Sequence, residues 1–226
     1  MVSLATIEEQ SQGWQAHLAL EFSPRGGRTI LSGNRHTGPL RVQRTLDPEA
    51  GACHACLLHP PGGVVGGDRL TLEVEVKTDA AALITTPGAT KFYRSGGRRA
   101  IQKNLLSVES DAWLEWLPQE SIVYPDADAE IVTRVNLAED AGFMGWEVVC
   151  IGLPACGRPF TSGRLETSIE THRGGRPIFK DRLMVADEAD LRRPAGLRGC
   201  SVSATFVATG GNPEMLVPLR RIVNAD

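Results

Sequence analysis

The sequence predicts an all-β protein of stacked mixed β-sheets, either a sandwich or a solenoid-like stack, with about two short helices. First, 24 glycines and 14 prolines interrupt the 226 residues at short intervals and leave almost no room for a long helix. Second, residues 14–22 and 70–76 alternate apolar and polar side chains, as strands with one buried face do. No linker or internal repeat is evident, so residues 1–226 are interpreted as a single domain.

Alternation, or a short apolar run between turn residues, predicts the individual strands. They lie at residues 14–22, 28–31, 41–46, 52–58, 70–76, 81–86, 101–108, 113–117, 131–135, 145–151, 164–171, 178–185 and 201–208. A helix is predicted over residues 137–144, because Asn136 could cap its first turn and two acidic residues follow. A second short helical segment is predicted within residues 214–223.

Charge and composition exclude several classes of function. The 24 Lys and Arg residues against 27 Asp and Glu give a net charge of -3, which argues against general nucleic-acid binding. Apolar runs are far shorter than the ~20 residues of a membrane span, so a cytoplasmic protein is expected. Five cysteines are an odd number in a chain of this length, which predicts reduced thiols rather than disulfides.

Residues 53–59 read CHACLLH and bring two thiols and two imidazoles together in sequence. On a strand, Cys53 and Cys56 would face opposite sides of the sheet, so one closed metal site from all four side chains is impossible. The cysteines are then interpreted as small buried hydrophobic residues. His59 is the best single candidate for a metal ligand, because it stands at the strand end beside a glycine-rich loop.

The glycine-rich loop covers residues 60–68 and has four glycines within residues 62–67. It lacks the Gly-Lys-Ser/Thr ending of a phosphate-binding loop and precedes a strand rather than a helix, so a nucleotide site is not expected. Two interpretations stay open: the loop is a tight structural turn, or it directs Asp68 into a cavity or towards a partner.

Glu115 lies among apolar residues, so it is either exposed by strand alternation or buried and paired with Lys91 or Arg94. As an alternative function, Glu115 and Glu120 could serve as the acid and base of a small hydrolase. No Ser-His-Asp order or other catalytic signature supports that reaction.

Four segments carry a family resemblance, and they lie in the same order as in that family. They are residues 38–44 (GPLRVQR), 57–68 (LLHPPGGVVGGD), 85–95 (TTPGATKFYRS) and 114–120 (LEWLPQE). Together they closely resemble the UreD-type urease accessory protein, called UreH in some organisms. The resemblance extends from residue 14 to about residue 223, and relatives are expected to continue through a further C-terminal segment.

The resemblance implies a non-enzymatic, cytoplasmic chaperone of nitrogen metabolism that helps to deliver nickel to urease. Its expected partners are the accessory protein UreF, the GTPase UreG and the urease apoprotein, with a homodimer inside the accessory complex. Nickel would be a transient cargo that moves through an internal polar passage, with no permanently bound cofactor. A purely structural adaptor without metal contact is the remaining alternative.

A passage for a divalent ion should offer oxygen and imidazole ligands weak enough to release it. The residues expected to contact nickel are Asp68, His59, Glu120, Glu147 and Asp181, with Thr85 and Thr86 as neutral polar lining.

Overall fold

The computed structural model describes residues 13–46, 51–194, 196–210, 214 and 216–223. Its strands are β1 Gln15–Arg25, β2 Arg28–Thr37, β3 Arg41–Leu46, β4 Cys53–Leu58, β5 Arg69–Val76, β6 Ala81–Thr85, β7 Thr90–Phe92, β8 Ala100–Val108, β9 Trp113–Leu117, β10 Ser121–Val123, β11 Asp128–Leu137, β12 Gly142–Ile151, β13 Ser162–Arg173, β14 Arg176–Asp187 and β15 Val202–Ala208. The predicted strands are confirmed, whereas the short β7 and β10 were not predicted.

The strands form two sheets. The seven-stranded sheet has the order β14-β13-β11-β8-β5-β1-β2, and the eight-stranded sheet has the order β3-β4-β6-β9-β12-β10-β7, with β15 pairing to β12. From β4 to β13 the chain passes back and forth between the sheets, and neighbours within each sheet run parallel, as β5, β8 and β11 do. This coiling confirms the prediction of stacked, solenoid-like sheets.

Helical structure is limited to short segments in the described residues. They are a 3₁₀ turn at Pro154–Cys156, α1 at Glu188–Arg192 and α2 at Leu216–Val223. Asp187 caps α1, because its side chain accepts a hydrogen bond from the backbone N–H of Asp190. The predicted segment at 214–223 is confirmed as α2. None of the helices described is both long and apolar enough to cross a membrane.

The helix predicted over residues 137–144 is wrong. Leu137 ends β11, residues 138–141 form a tight turn, and Gly142 begins β12. Residues 77–80 and 109–112 form equivalent turns between β5 and β6 and between β8 and β9. The turns stack, because the Glu109 N–H donates to the Val76 carbonyl at 2.9 Å and the Ala138 N–H to the Val108 carbonyl at 2.9 Å. The structure thus contains a repeat that the sequence analysis missed.

Prolines interrupt the eight-stranded sheet at the other end of these strands. β4, β6 and β9 each stop just before a segment that contains proline, at residues 59–63, 86–89 and 118–120. Proline has no N–H to donate to a neighbouring strand, so the ladder cannot continue through it. Pairing resumes at β7 and β10, while β12 runs past the gap and pairs with β9 before it and β10 after it. The buried core is correspondingly split into two clusters.

Candidate functional site

A cavity of about 480 Å³ lies between the sheets and reaches the gap left by the prolines. Its wall combines members of both core clusters, such as Leu72 and Trp116 from one and Leu70 and Ile131 from the other. Residues of the three proline-containing segments complete the wall. The interruption of the eight-stranded sheet therefore creates this large cavity.

His59 lines the large cavity, and neither of its buried ring nitrogens has a hydrogen-bond partner among the described residues. Burial lowers the pKa of His59, and the negative charge of nearby Asp68 only partly opposes that shift. The lowered pKa favours the neutral imidazole, in which one ring nitrogen donates and the other accepts a hydrogen bond.

Polar side chains extend from this cavity along the inner face of the seven-stranded sheet. Gln102 and Asn104 on β8 line the cavity, and Thr133 on β11 pairs directly opposite Asn104. The Gln102 amide donates to the Asn104 side-chain oxygen at 3.4 Å, and the Asn104 amide donates to the Thr133 hydroxyl at 2.9 Å. Asn104 is 3% exposed and Thr133 is fully buried, so these hydrogen bonds form a polar strip inside an apolar core.

The strip ends at Glu147, an inward-facing residue of β12 in the opposite sheet. Its carboxylate accepts hydrogen bonds from the hydroxyls of Thr133 and Thr167, the latter at 3.2 Å. Burial, the largest influence, raises the pKa of Glu147 to about 7; the two hydroxyls oppose the rise and the charge of Asp181 adds to it. Glu147 is thus a buried carboxyl group held by neutral donors.

A second cavity, of about 20 Å³, lies on the far side of Glu147. Glu147 and Val149 line both cavities, and Asp181 and Thr205 line only the small one. The Thr205 hydroxyl donates to the Asp181 carboxylate at 2.6 Å, and Asp181 itself is exposed. A volume of this size holds about one water molecule. Glu147 therefore separates a large cavity from a small polar one that reaches an exposed carboxylate.

This arrangement offers oxygen ligands one after another rather than a closed site. In the part of the chain that the structure describes, no group of three or more His, Cys, Asp and Glu side chains is placed to hold a metal ion. Single carboxylates and hydroxyls bind a divalent ion weakly compared with thiolates. The strip therefore offers a divalent ion single oxygen ligands in sequence and no closed site among the described residues.

Four of the residues selected from sequence line one or both of the two cavities. His59 and Thr86 lie at the large cavity, Glu147 between the cavities, and Asp181 at the small one. Thr85 and Glu120 line neither cavity. The Thr85 hydroxyl donates to the Leu117 carbonyl at 2.7 Å. Burial, together with the charge of Glu120, raises the pKa of the Cys150 thiol.

Of the two interpretations of the glycine-rich loop, the geometry of Asp68 favours the tight structural turn. Asp68 is 1% exposed, and its two carboxylate oxygens accept the backbone N–H groups of Trp14 at 2.7 Å and Val65 at 2.8 Å. Asp68 lines neither cavity, although its charge reaches His59. The loop is therefore a structural turn that the carboxylate fixes, and a direct contact of Asp68 with nickel stays a prediction that this geometry does not favour.

The alternation predicted for Cys53 and Cys56 is confirmed. Cys53 is fully buried in the core, and Cys56 lies half-buried on the other face of β4. No disulfide joins any of the five cysteines in the part of the chain that the structure describes. Glu115 faces outwards on β9, where the Trp113 indole N–H donates to its carboxylate at 3.2 Å. That position shows the predicted exposure by alternation rather than pairing with Lys91 or Arg94.

Sequence reasoning missed Asn104, Thr133 and Thr167. Each occupies an inward position of a strand whose other inward residues are mostly apolar. The available signal was therefore a polar residue at a position where the alternation predicts an apolar one. Trp116 was also missed, because the sequence does not show that its indole N–H is buried without a hydrogen-bond partner among the described residues.

Comparison with known proteins decides the family. The family model described as UreD urease accessory protein matches residues 15–226. The chain belongs to the UreD family. This UreD chain is 44% identical over 216 residues to the urease accessory protein UreD of Alcanivorax borkumensis, covering 94% of the chain and 74% of that relative.

Two further relatives are similar at the same level. UreD of Alkalilimnicola ehrlichii is 46% identical over 200 residues, which is 88% of this chain and 68% of the relative. UreD of Dechloromonas aromatica is 43% identical over 227 residues, which is 96% of this chain and 78% of the relative. The resemblance found in the sequence is thus confirmed.

Proposed function

We propose that this chain is a non-enzymatic accessory protein of urease maturation that passes nickel from the large cavity, past Glu147, to the small cavity. The observation that carries the proposal is the position of the Glu147 carboxyl group in the wall of both cavities. Family membership supports a role in urease maturation, since the relatives are named urease accessory proteins.

The chemistry of the strip supports transit. A hydrated cation entering a narrow, low-dielectric opening is attracted by a buried negative charge more strongly than in bulk water. Glu147, whose pKa is about 7, would supply that charge once its proton is released, and the hydroxyls of Thr133 and Thr167 would replace water ligands one at a time. Because no thiolate lies in this strip, the ion would not be trapped. Asp181 would take over the ion at the exposed end.

The proposed partners are UreF, UreG and the urease apoprotein, and the proposed setting is a cytoplasmic complex in which this chain forms a homodimer. In that complex the chain would hold the other accessory proteins on the urease apoprotein while nickel, a transient cargo, passes through. A purely structural adaptor would hold the same partners without contacting nickel.

Co-expression with urease subunits, UreF and UreG tests the proposal. The chain should co-purify with them and raise the nickel content of urease. Glu147→Gln and Asp181→Ala should leave the complex intact but lower its nickel content severalfold, whereas the control Glu115→Gln, on the outer face, should change neither. Equal loading by all variants in intact complexes would favour the adaptor, and hydrolysis of a substrate by the isolated chain would favour an enzyme.

A further inference from the structure

A groove on the outer face of the seven-stranded sheet is lined mainly by polar and cationic side chains. This outer groove has a volume of about 290 Å³ and is formed by residues of β1, β2, β5 and β8. Its polar wall consists of Gln15, His17, Thr37, Arg69, Thr71 and Lys103. Neither nickel transit nor the packing of the core accounts for this collection of residues.

The alternation of burial along the strands shows that these side chains face away from the core. Ala16 on β1 and Leu70 on β5 are buried core residues, and polar residues of the outer groove precede and follow each of them. On β8, Lys103 is exposed, whereas its neighbour Gln102 lines the large cavity on the inner face. The outer groove and the large cavity therefore lie on opposite faces of the sheet.

The strand register brings the two cations of the outer groove close to each other. Arg69 on β5 pairs with Ile101 on β8, and Lys103 lies two residues further along β8 on the same face. The spacing of strands and the rise per residue place the backbones of Arg69 and Lys103 about 8 Å apart. Thr71 lies directly opposite Lys103, and His17 lies opposite Thr71. Two long cationic side chains and two further hydrogen-bonding groups therefore surround one small area.

Neither cation of the outer groove is neutralised by a carboxylate. The two side chains form no ion pair with any residue that the structure describes. The acids on the adjacent strand positions already have partners, since Glu73 contacts His17 at 3.3 Å and Glu130 contacts Arg99 at 3.4 Å. Further along the same face, cations of β11, β13 and β14 pair with glutamates of β13. The half of the sheet around β5 and β8 thus carries positive charge without a counter-charge.

We propose that the outer groove binds a phosphate group that carries two negative charges, either as the free anion or as the ester of a small molecule. Two cations without a counter-charge match a dianion, and the guanidinium of Arg69 can donate two parallel hydrogen bonds to its oxygens. Lys103 adds a compact positive charge, and the hydroxyls of Thr37 and Thr71 can donate to the remaining oxygens. The volume lies just below the range of about 300–1,000 Å³ of most ligand pockets, which suits a small ligand.

Titration of the isolated, nickel-free chain with inorganic phosphate and with glycerol 3-phosphate tests the site. The buffer contains no other phosphate and is held at about pH 8, where both compounds carry mostly two negative charges. We expect saturable binding of one ligand per chain, and the tighter of the two compounds shows whether the free anion or the ester is preferred. Changes in amide chemical shift, measured by NMR, should be confined to residues 15–17, 37, 69–71 and 101–103. Dimethyl phosphate, which carries one negative charge, should bind about tenfold more weakly or less.

Two variants test the contacts with the anion. Arg69→Met and Lys103→Met each remove one charge and keep an aliphatic stem, and each should weaken binding about tenfold or more. Both residues are exposed, so the variants should fold, which circular dichroism verifies. Arg176→Met makes the same charge change on β14, at the far edge of the same sheet, and is the matched control that should leave binding nearly unchanged.

Four results would overturn the site. They are an absence of binding of both phosphate compounds at millimolar concentration, binding of dimethyl phosphate as tightly as the dianions, unchanged affinity in the folded Arg69→Met and Lys103→Met variants, and equal weakening by Arg176→Met. The last result would show that the anion responds only to the net charge of the chain. The site requires neither nickel nor a partner protein, so none of these results bears on the proposed function.

Discussion

At the scale of single residues, Asp68 shows how one buried carboxylate can organise a glycine-rich loop. Its two oxygens accept the N–H groups of Trp14 and Val65, which ties β1 and the loop together at the start of β5. Asp68→Ala leaves both donors without their acceptor, and each loss costs about 1–3 kcal/mol. We expect urea unfolding to show a decrease of about 2–4 kcal/mol, with Asp68→Asn losing roughly half as much. A decrease below about 0.5 kcal/mol in Asp68→Ala would contradict this role.

Glu147 makes the free energy of unfolding depend on pH. In the unfolded chain the carboxyl group ionises with its ordinary pKa of 4.5, whereas in the folded protein the pKa is about 7. Between these values the folded state holds a proton that the unfolded state has released, so stability falls as the pH rises, by up to about 3 kcal/mol.

Replacement of Glu147 by Gln isolates this contribution. The glutamine of the Glu147→Gln variant stays neutral at every pH. The free energy of unfolding of this variant, relative to the wild type, should therefore increase between about pH 5 and pH 8 and then level off. Chemical denaturation at several pH values measures the difference. Parallel stability curves for the two proteins would show that Glu147 titrates normally.

At the scale of elements, the strands were predictable because each buries one face, and the alternation survives in the sequence. The turn at residues 138–141 was mistaken for a helix because its Ala, Glu and Asp residues suit a first helical turn. Stacking on the turns at residues 77–80 and 109–112 overrides that local preference. An Asp-Ala pair closes all three turns and was the signal of a repeat.

The candidate site was predictable only in part. The acidic residues Glu147 and Asp181 stand out by their charge, but Asn104, Thr133 and Thr167 become meaningful only when the register places them beside one another. Parallel pairing of strands about 30 residues apart in sequence sets that register, and local patterns do not encode it. The two interpretations of Asp68 could not be separated from sequence, because composition does not show which backbone N–H groups a loop carboxylate accepts.

Two glycines of the same region should respond differently to alanine. A Cβ atom on Gly66 would lie 2.0 Å from the Ser95 carbonyl oxygen and 2.8 Å from that of Arg98, both backbone atoms that cannot easily move. Gly88, in the segment between β6 and β7, has nothing within 4 Å of that position. We expect Gly66→Ala to lower the free energy of unfolding by about 1–3 kcal/mol and Gly88→Ala to leave it nearly unchanged. Thermal unfolding measures both, and equal effects would mean that the close approach at Gly66 is absent.

At the scale of the whole molecule, the two sheets enclose a core that is not completely filled by side chains. Protein interiors are normally close-packed, yet here a large cavity separates two apolar clusters and a polar strip leads out of it. The prolines end β4, β6 and β9 and leave the gap beside the large cavity. The eight-stranded sheet stays continuous across that gap, because β12 pairs with β9 on one side and with β10 on the other. On the function proposed above, nickel would follow this interior from the large cavity past Glu147 to the small one.

Obstruction of the small cavity tests that claim most directly. Ser203 lines it on β15, whereas its neighbour Val202 is 51% exposed on the opposite face, so Ser203→Phe narrows the route and Val202→Phe is its matched control. Each variant is co-expressed with urease, UreF and UreG, and nickel per urease is measured in complexes of equal composition. The account predicts a severalfold loss of nickel with Ser203→Phe and none with Val202→Phe; full loading by a folded, assembled Ser203→Phe protein would contradict it.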